Sequence, residues 1–89
     1  TWYRMTYQVL ISRRAVKSIN KLGQFDRNSV EKILIALSIN PRPRNAKKLT
    51  DSERYRVRVG NYRILYTIDD GVLIINVVDV LHRRNAYRD

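Results

Sequence analysis

The spacing of hydrophobic and polar positions changes along the chain, and each change marks an element. Residues 5 to 11, MTYQVLI, alternate well enough for a first strand. Ser12 follows in position to cap a helix, with Ile11 and Val16 spaced as a hydrophobic staple, which predicts a helix over about residues 13 to 22. Gly23 ends it, and Asp26 is placed to cap a second helix with Phe25 and Val30 as its staple. Val30, Ile33, Leu34 and Leu37 then fall at i, i+3, i+4 and i+7, one buried helical stripe. Asn40-Pro41 stops that helix, because proline pushes the residue before it out of helical geometry. The basic run PRPRNAKKLTDS reads as a connector. Three strands follow, over about 54 to 59, 62 to 68 and 72 to 80, parted by Gly60-Asn61 and by Asp69-Asp70-Gly71. The predicted class is α+β with order βααβββ(α): a small curved, mainly antiparallel sheet with two helices packed on one face, the last helix being the tail.

Strand pairing then decides where the charges point. If Gly60-Asn61 is a two-residue hairpin loop, Val59 lies opposite Tyr62, Arg58 opposite Arg63, Val57 opposite Ile64 and Tyr55 opposite Tyr66. One face carries Tyr55, Val57, Val59, Tyr62, Ile64, Tyr66 and Ile68, and is the expected core. The other carries Arg54, Arg56, Arg58, Arg63 and Leu65. Like charges opposed on a sheet cost roughly 0.2 to 1 kcal/mol per pair. A solvated face with arginine stems lying on apolar surface is the ordinary outcome for such residues. Here the cations gather on one side with no acid opposite them, so a phosphate-gripping face is the better reading. The final strand, VLIINVVDV, is apolar on both faces, as in a strand with neighbours on both edges, and simple alternation puts Asn76 and Val78 on the arginine side. In the tail, Arg83 and Tyr87 are four apart and share a face if it is helical.

Composition sharpens this picture. The 89 residues hold 18 lysines and arginines against 8 acids, a net charge of +10, and 13 of the 18 are arginine, which binds phosphate bidentately. A polyanionic partner is the first expectation. The hydrophobic share of 44% excludes a disordered basic tail. Without cysteine there is neither a disulfide framework nor thiolate chemistry, and a cytosolic setting is expected. No run of apolar residues reaches membrane length and no secretory leader opens the chain, so no membrane partner is expected. One domain over residues 1 to 89 is expected; Met5 reads as a natural start, and residues 1 to 4 carry no functional weight. Asp69, Asp70, Asp79 and Glu53 do not fall in ligand spacing with His82, the single histidine, and no glycine-rich phosphate loop occurs. Neither a metal nor an organic cofactor is expected.

KKL at 47 to 49, YRVRVGNYRILY at 55 to 66 and HRRNAY at 82 to 87, in that order on a βααβββ frame, resemble the RelE branch of the RelE/ParE toxin superfamily over about Met5 to Tyr87. The resemblance implies a microbial-ribonuclease-like fold. It also implies a toxin of a type II toxin-antitoxin pair that enters the ribosomal A site and cuts messenger RNA there. In that chemistry the ribose 2′-OH attacks the adjacent phosphate, so one proton is taken, another given, and a phosphorane stabilised. By position, Arg56 and Arg58 match the paired basic residues of the second strand, Arg63 the phosphate clamp of the third, Arg83 the arginine after the last strand, and Tyr87 the C-terminal tyrosine that stacks on or orients substrate. Familiar members carry lysine at the two second-strand positions. Arginine effectively cannot lose its proton, so Arg56 is a poor general base and a good phosphorane stabiliser.

His82 is the side chain best suited to proton transfer near neutral pH and is a further catalytic candidate. Arg42, Arg44, Lys47, Lys48 and Arg54 form a basic edge that a ribosome-directed protein would set against ribosomal RNA through sequence-blind phosphate attraction. A cognate antitoxin, acidic and encoded beside the toxin, and the ribosome with its message are the implied partners. The alternatives are a ParE-like toxin, which shares the fold but inhibits DNA gyrase without nuclease residues, and a non-enzymatic RNA-binding domain.

Overall fold

The structure, a computed structural model, describes residues 6 to 84. The tail helix and Tyr87 lie outside the described residues. Strand β1 (Gln8–Ile11) leads into helices α1 (Arg13–Asn20) and α2 (Gln24–Ile39), followed by strands β2 (Lys47–Lys48), β3 (Tyr55–Val59), β4 (Tyr62–Asp69) and β5 (Ile74–His82). The sheet order is β1-β5-β4-β3-β2, with β1 parallel to β5 and the remaining pairs antiparallel. This is the expected α+β frame with one strand more: Lys47 and Lys48 of the connector pair with β3. Two residues are too short to show a period, so nothing in their pattern marks them as a strand.

Local chemistry explains the helix ends. Ser12 caps α1, its hydroxyl accepting from the Ala15 amide at 3.0 Å. The α2 start differs from expectation. Gly23 is the cap, Asp26 falls inside the first turn where its charge faces the positive end of the helix, and Phe25 is 82% exposed, so it staples nothing. The expected stripe holds, with Val30, Leu34 and Leu37 buried and Ile33 packed beside them, and α2 stops at Ile39 before Asn40-Pro41. Arg27 donates to the Asn20 and Leu22 carbonyls and so ties the start of α2 to the end of α1.

The hairpin register is the one counted from the sequence, with Arg58 opposite Arg63 and Val59 opposite Tyr62. Gly60 supplies the left-handed backbone the loop needs, at φ 58°. Val57, Val59, Ile64, Tyr66, Ile75, Val77 and Val80 form the sheet side of the core against Ala15, Val30, Leu34 and Leu37. Tyr66 is fully buried, donates to the Pro41 carbonyl at 2.8 Å and stacks on Tyr55. Burial, then the neighbouring Tyr55, pushes the Tyr66 phenol up to about 12.

β5 breaks alternation. Tyr66 faces Val77 but Leu65 faces Asp79, which leaves Val78 as an extra residue in a β-bulge. The bulge sits where α1 begins: the Ser12 amide donates to the Val77 carbonyl at 3.0 Å and its hydroxyl to the Val78 carbonyl at 2.7 Å. Beyond the bulge, Asp79 and Leu81 take the parity of Leu65 and Arg63, while Val80 and His82 take that of Ile64 and Tyr62.

Candidate functional site

At the turn end of the β3-β4 hairpin, Arg58, Gly60, Tyr62, Arg63 and Arg83 line a cleft of about 160 Å³. Each arginine arrives by a different route. Arg58 and Arg63 are ladder partners beside the loop. Arg83 follows β5, and its amide donates to the Asn61 carbonyl at 2.7 Å, which pins the end of β5 to the hairpin loop. Three of the expected site residues are therefore brought to one cleft.

Cations predominate on this face, and the bulge gives the acid Asp79 the parity of Leu65 among them. Arg56 faces Leu65 on one side and Lys47 of β2 on the other, and is only 8% exposed. Burial first, and then the charges of Arg58 and Arg63, hold its guanidinium below the ordinary arginine range. Three arginines are thus close enough to feel one another. The Arg63 Nε–H is buried and has no hydrogen-bond partner among the described residues. An unpaired buried donor is unfavourable alone, and an anionic oxygen entering the cleft would satisfy it.

His82 is not part of the cleft lining. The bulge gives it the parity of Tyr62, and the two rings meet edge to face at 5.2 Å between centroids. Its Nδ1 accepts from the Arg84 amide at 3.2 Å. Tyr62 packs on the core and also reaches the cleft, a double placement available only at the open end of the hairpin. Sequence parity alone marks Tyr62 as core; its position beside the loop is the signal for the second role. Tyr87 lies outside the described residues.

The basic edge divides. Arg42 is engaged within the molecule: its guanidinium grips both oxygens of Asp70 at 3.2 and 2.9 Å, donates to the Tyr55 hydroxyl and lies over the Tyr55 ring at 5.5 Å. Arg44, Lys48 and Arg54 are exposed. Lys47 is exposed too, and pairing with Arg56 gives it the parity of the arginine face.

Comparison with known proteins gives the family and the fold. The family model for the ParE toxin of the type II toxin-antitoxin system parDE matches residues 9–87. The chain belongs to the RelE/ParE family of type II toxins. It is 30% identical to the protein named RelE1 of Methanocaldococcus jannaschii, over 96% of this chain and 99% of that one. The archaeal RelE-RelB complex of Pyrococcus horikoshii OT3 superimposes with a TM-score of 0.81 at 27% identity, over 92% of this chain and 100% of that chain. The toxin-antitoxin complex RelBE2 of Mycobacterium tuberculosis gives 0.79 at 30% identity, over 88% and 99%. This RelE-like toxin shares its overall fold with those proteins.

Proposed function

We propose that this toxin is a ribosome-dependent messenger RNA endonuclease. The observation that carries the reading is the cleft in which Arg58, Arg63 and Arg83 converge while the Arg63 Nε–H lacks an acceptor among the described residues. A scissile phosphate seated there would take two or more charge-assisted hydrogen bonds. As the 2′-OH attacks, the phosphorane gains charge, and preorganised guanidinium donors stabilise it more than they stabilise the ground state. The chemistry is then driven by charge stabilisation and by orientation of the 2′-OH, with Arg56 reinforcing the field and Tyr87 offered as the base-stacking group. The 5′-oxygen leaves with a proton and a cyclic phosphate remains, with no metal required by the scheme. Lys47, Arg44, Lys48 and Arg54 would meet ribosomal RNA. Arg42 is the weakest member of that set, since contact with RNA would compete with Asp70. The two solved relatives named above are complexes with RelB-type antitoxins, which supports a cognate antitoxin for this chain; its acidic character is expected from the charge of the toxin. The cytoplasm is where all these partners meet.

The family match is described by ParE, which favours a second reading as a gyrase inhibitor acting by binding alone. One experiment separates the two. The toxin is expressed under tight control and the 5′ ends of a translated message are mapped with and without ribosomes. Cuts within codons that require the ribosome are expected; intact message with arrested DNA replication would establish the gyrase reading instead.

A further inference from the structure

Helix α1 repeats on a smaller scale the electrostatic anomaly of the hairpin. Arg13, Arg14, Lys17 and Lys21 are all exposed, and with Ser18 they line a shallow surface of about 360 Å³. At about 100° per residue, the four cations fall within an arc of roughly 100°. Ala15, Ile19 and Leu22 lie opposite them, against the core. Stability accounts for only part of the arrangement: Lys17 in the last turn and Lys21 at the cap stand where the helix dipole favours cations. Arg13 and Arg14 occupy the first turn, where the helix already presents positive charge, and no acid stands there to offset them. Arg13, Lys17 and Lys21 repel one another at i, i+4 and i+8. The nearby Arg27 is occupied with carbonyls and does not join the set.

We propose that the outer face of α1 is a second nucleic-acid surface that grips the phosphate backbone of structured RNA without reading its sequence. The proposal rests on the RNA-directed reading of the cleft and extends it to a separate element. Two features favour RNA over an acidic protein. The cationic arc contains no apolar side chain, whereas a peptide that orders on binding must bury apolar surface to offset its lost entropy. Arg13, Lys17 and Lys21 also repeat at about 6 Å of rise, a regular ladder suited to successive phosphates. The face is joined to the cleft by β5. Ser18 of α1 donates to Asp79 at 2.8 Å, and Arg83 stands four residues further on, roughly 13 Å along an extended strand.

The test is binding of the intact chain to a labelled RNA hairpin stem over a salt series, without ribosomes. Replacing Arg13, Lys17 and Lys21 together by Gln is expected to weaken binding about 10- to 100-fold at low salt. The slope of log K against log salt should flatten by roughly two to three, about one per lost phosphate contact. The charge-keeping variant R13K/K17R/K21R should bind as the wild type does. Circular dichroism checks folding, and the single variant Lys17→Gln, with a slope change near one, replaces the triple variant if that fails to fold. An unchanged slope would overturn the proposal. So would a polyglutamate peptide that loses affinity for the Gln variant while the RNA stem does not, since the face would then serve an acidic protein. If messages are cut yet the slope is unchanged, the α1 proposal alone fails; if no message is cut yet the slope flattens, the nuclease reading alone fails.

Discussion

Arg58 and Arg63 face each other across a hairpin, and the Arg63 Nε–H is buried without a partner among the described residues, a local cost that the proposed anion site would explain. Arg63→Ala removes the clamp and the repulsion together. Cleavage on programmed ribosomes should fall about 10²- to 10³-fold, equivalent to about 2.7 to 4 kcal/mol of transition-state stabilisation. Thermal stability should hold or rise slightly, because the lost stem packing opposes a relieved repulsion of roughly 0.2 to 1 kcal/mol. Full activity in this variant would mean the cleft is not the site. His82 offers the contrasting case. It stands opposite Tyr62 on the core side of the sheet, with Nδ1 occupied by the Arg84 amide, so it braces a cleft residue and is poorly placed to exchange protons with a substrate held by Arg63. His82→Gln is expected to cost less than about tenfold in single-turnover rate and to leave the shape of the pH profile unchanged, as general-base catalysis would not. A large loss confined to one limb of that profile would restore His82 as the base.

Among the elements, the β3-β4 hairpin was legible from sequence and the end of β5 was not, and the reason is geometric. A two-residue loop containing glycine fixes the count on both sides, so the pairing of Arg58 with Arg63 follows from the letters alone. Nothing in VVDV announces a bulge. Simple alternation carries Asn76, Val78, Val80 and His82 along one face, while the extra residue at Val78 moves Val80 into the core and His82 away from the arginines. The signal was remote in sequence, since Ser12 bonds the Val77 and Val78 carbonyls as it starts α1. The connector shows the same limit. Its basic residues read in sequence as one edge, yet Arg42 is held at the surface by Asp70, which also accepts from the Tyr7 hydroxyl at 2.6 Å. The hydrogen bonds from Arg42 and then Tyr7 hold the Asp70 carboxyl down at about 2, against 3.8 for the unperturbed group. A depressed carboxylate stabilises the fold above its unfolded pKa, and that contribution disappears as pH falls from about 4 through about 2. Thermal melts of wild type and Asp70→Asn should therefore differ at neutral pH and converge across that interval. A gap that persists at the lowest pH would show that the carboxylate charge is not what fastens the connector.

For the whole molecule, a net charge of +10 on 89 residues builds a long-range field that any acidic partner meets before contact. The field is well suited to capture. An antitoxin must reach a freshly made toxin quickly, and complementary charge raises the association rate far more than it slows dissociation. Affinity needs apolar burial as well. A surface depression of about 420 Å³ between β1 and α2, lined by Tyr7, Val9, Ile11, Leu34 and Ile35 together with the polar Glu31 and Ser38, shows that the molecule has exposed apolar surface apart from its cationic faces. A division of labour is expected, with cations governing encounter and apolar contacts governing residence. Copurification from the native operon should yield a small acidic partner, and association of the separated chains should slow by at least about tenfold as salt is raised from low to physiological strength, while dissociation changes little. Stopped-flow association and chase experiments across a salt series measure the two rates separately. If association is indifferent to salt, or if the toxin expressed alone is harmless and no partner is recovered, the charge serves RNA only and the antitoxin is recruited by other means.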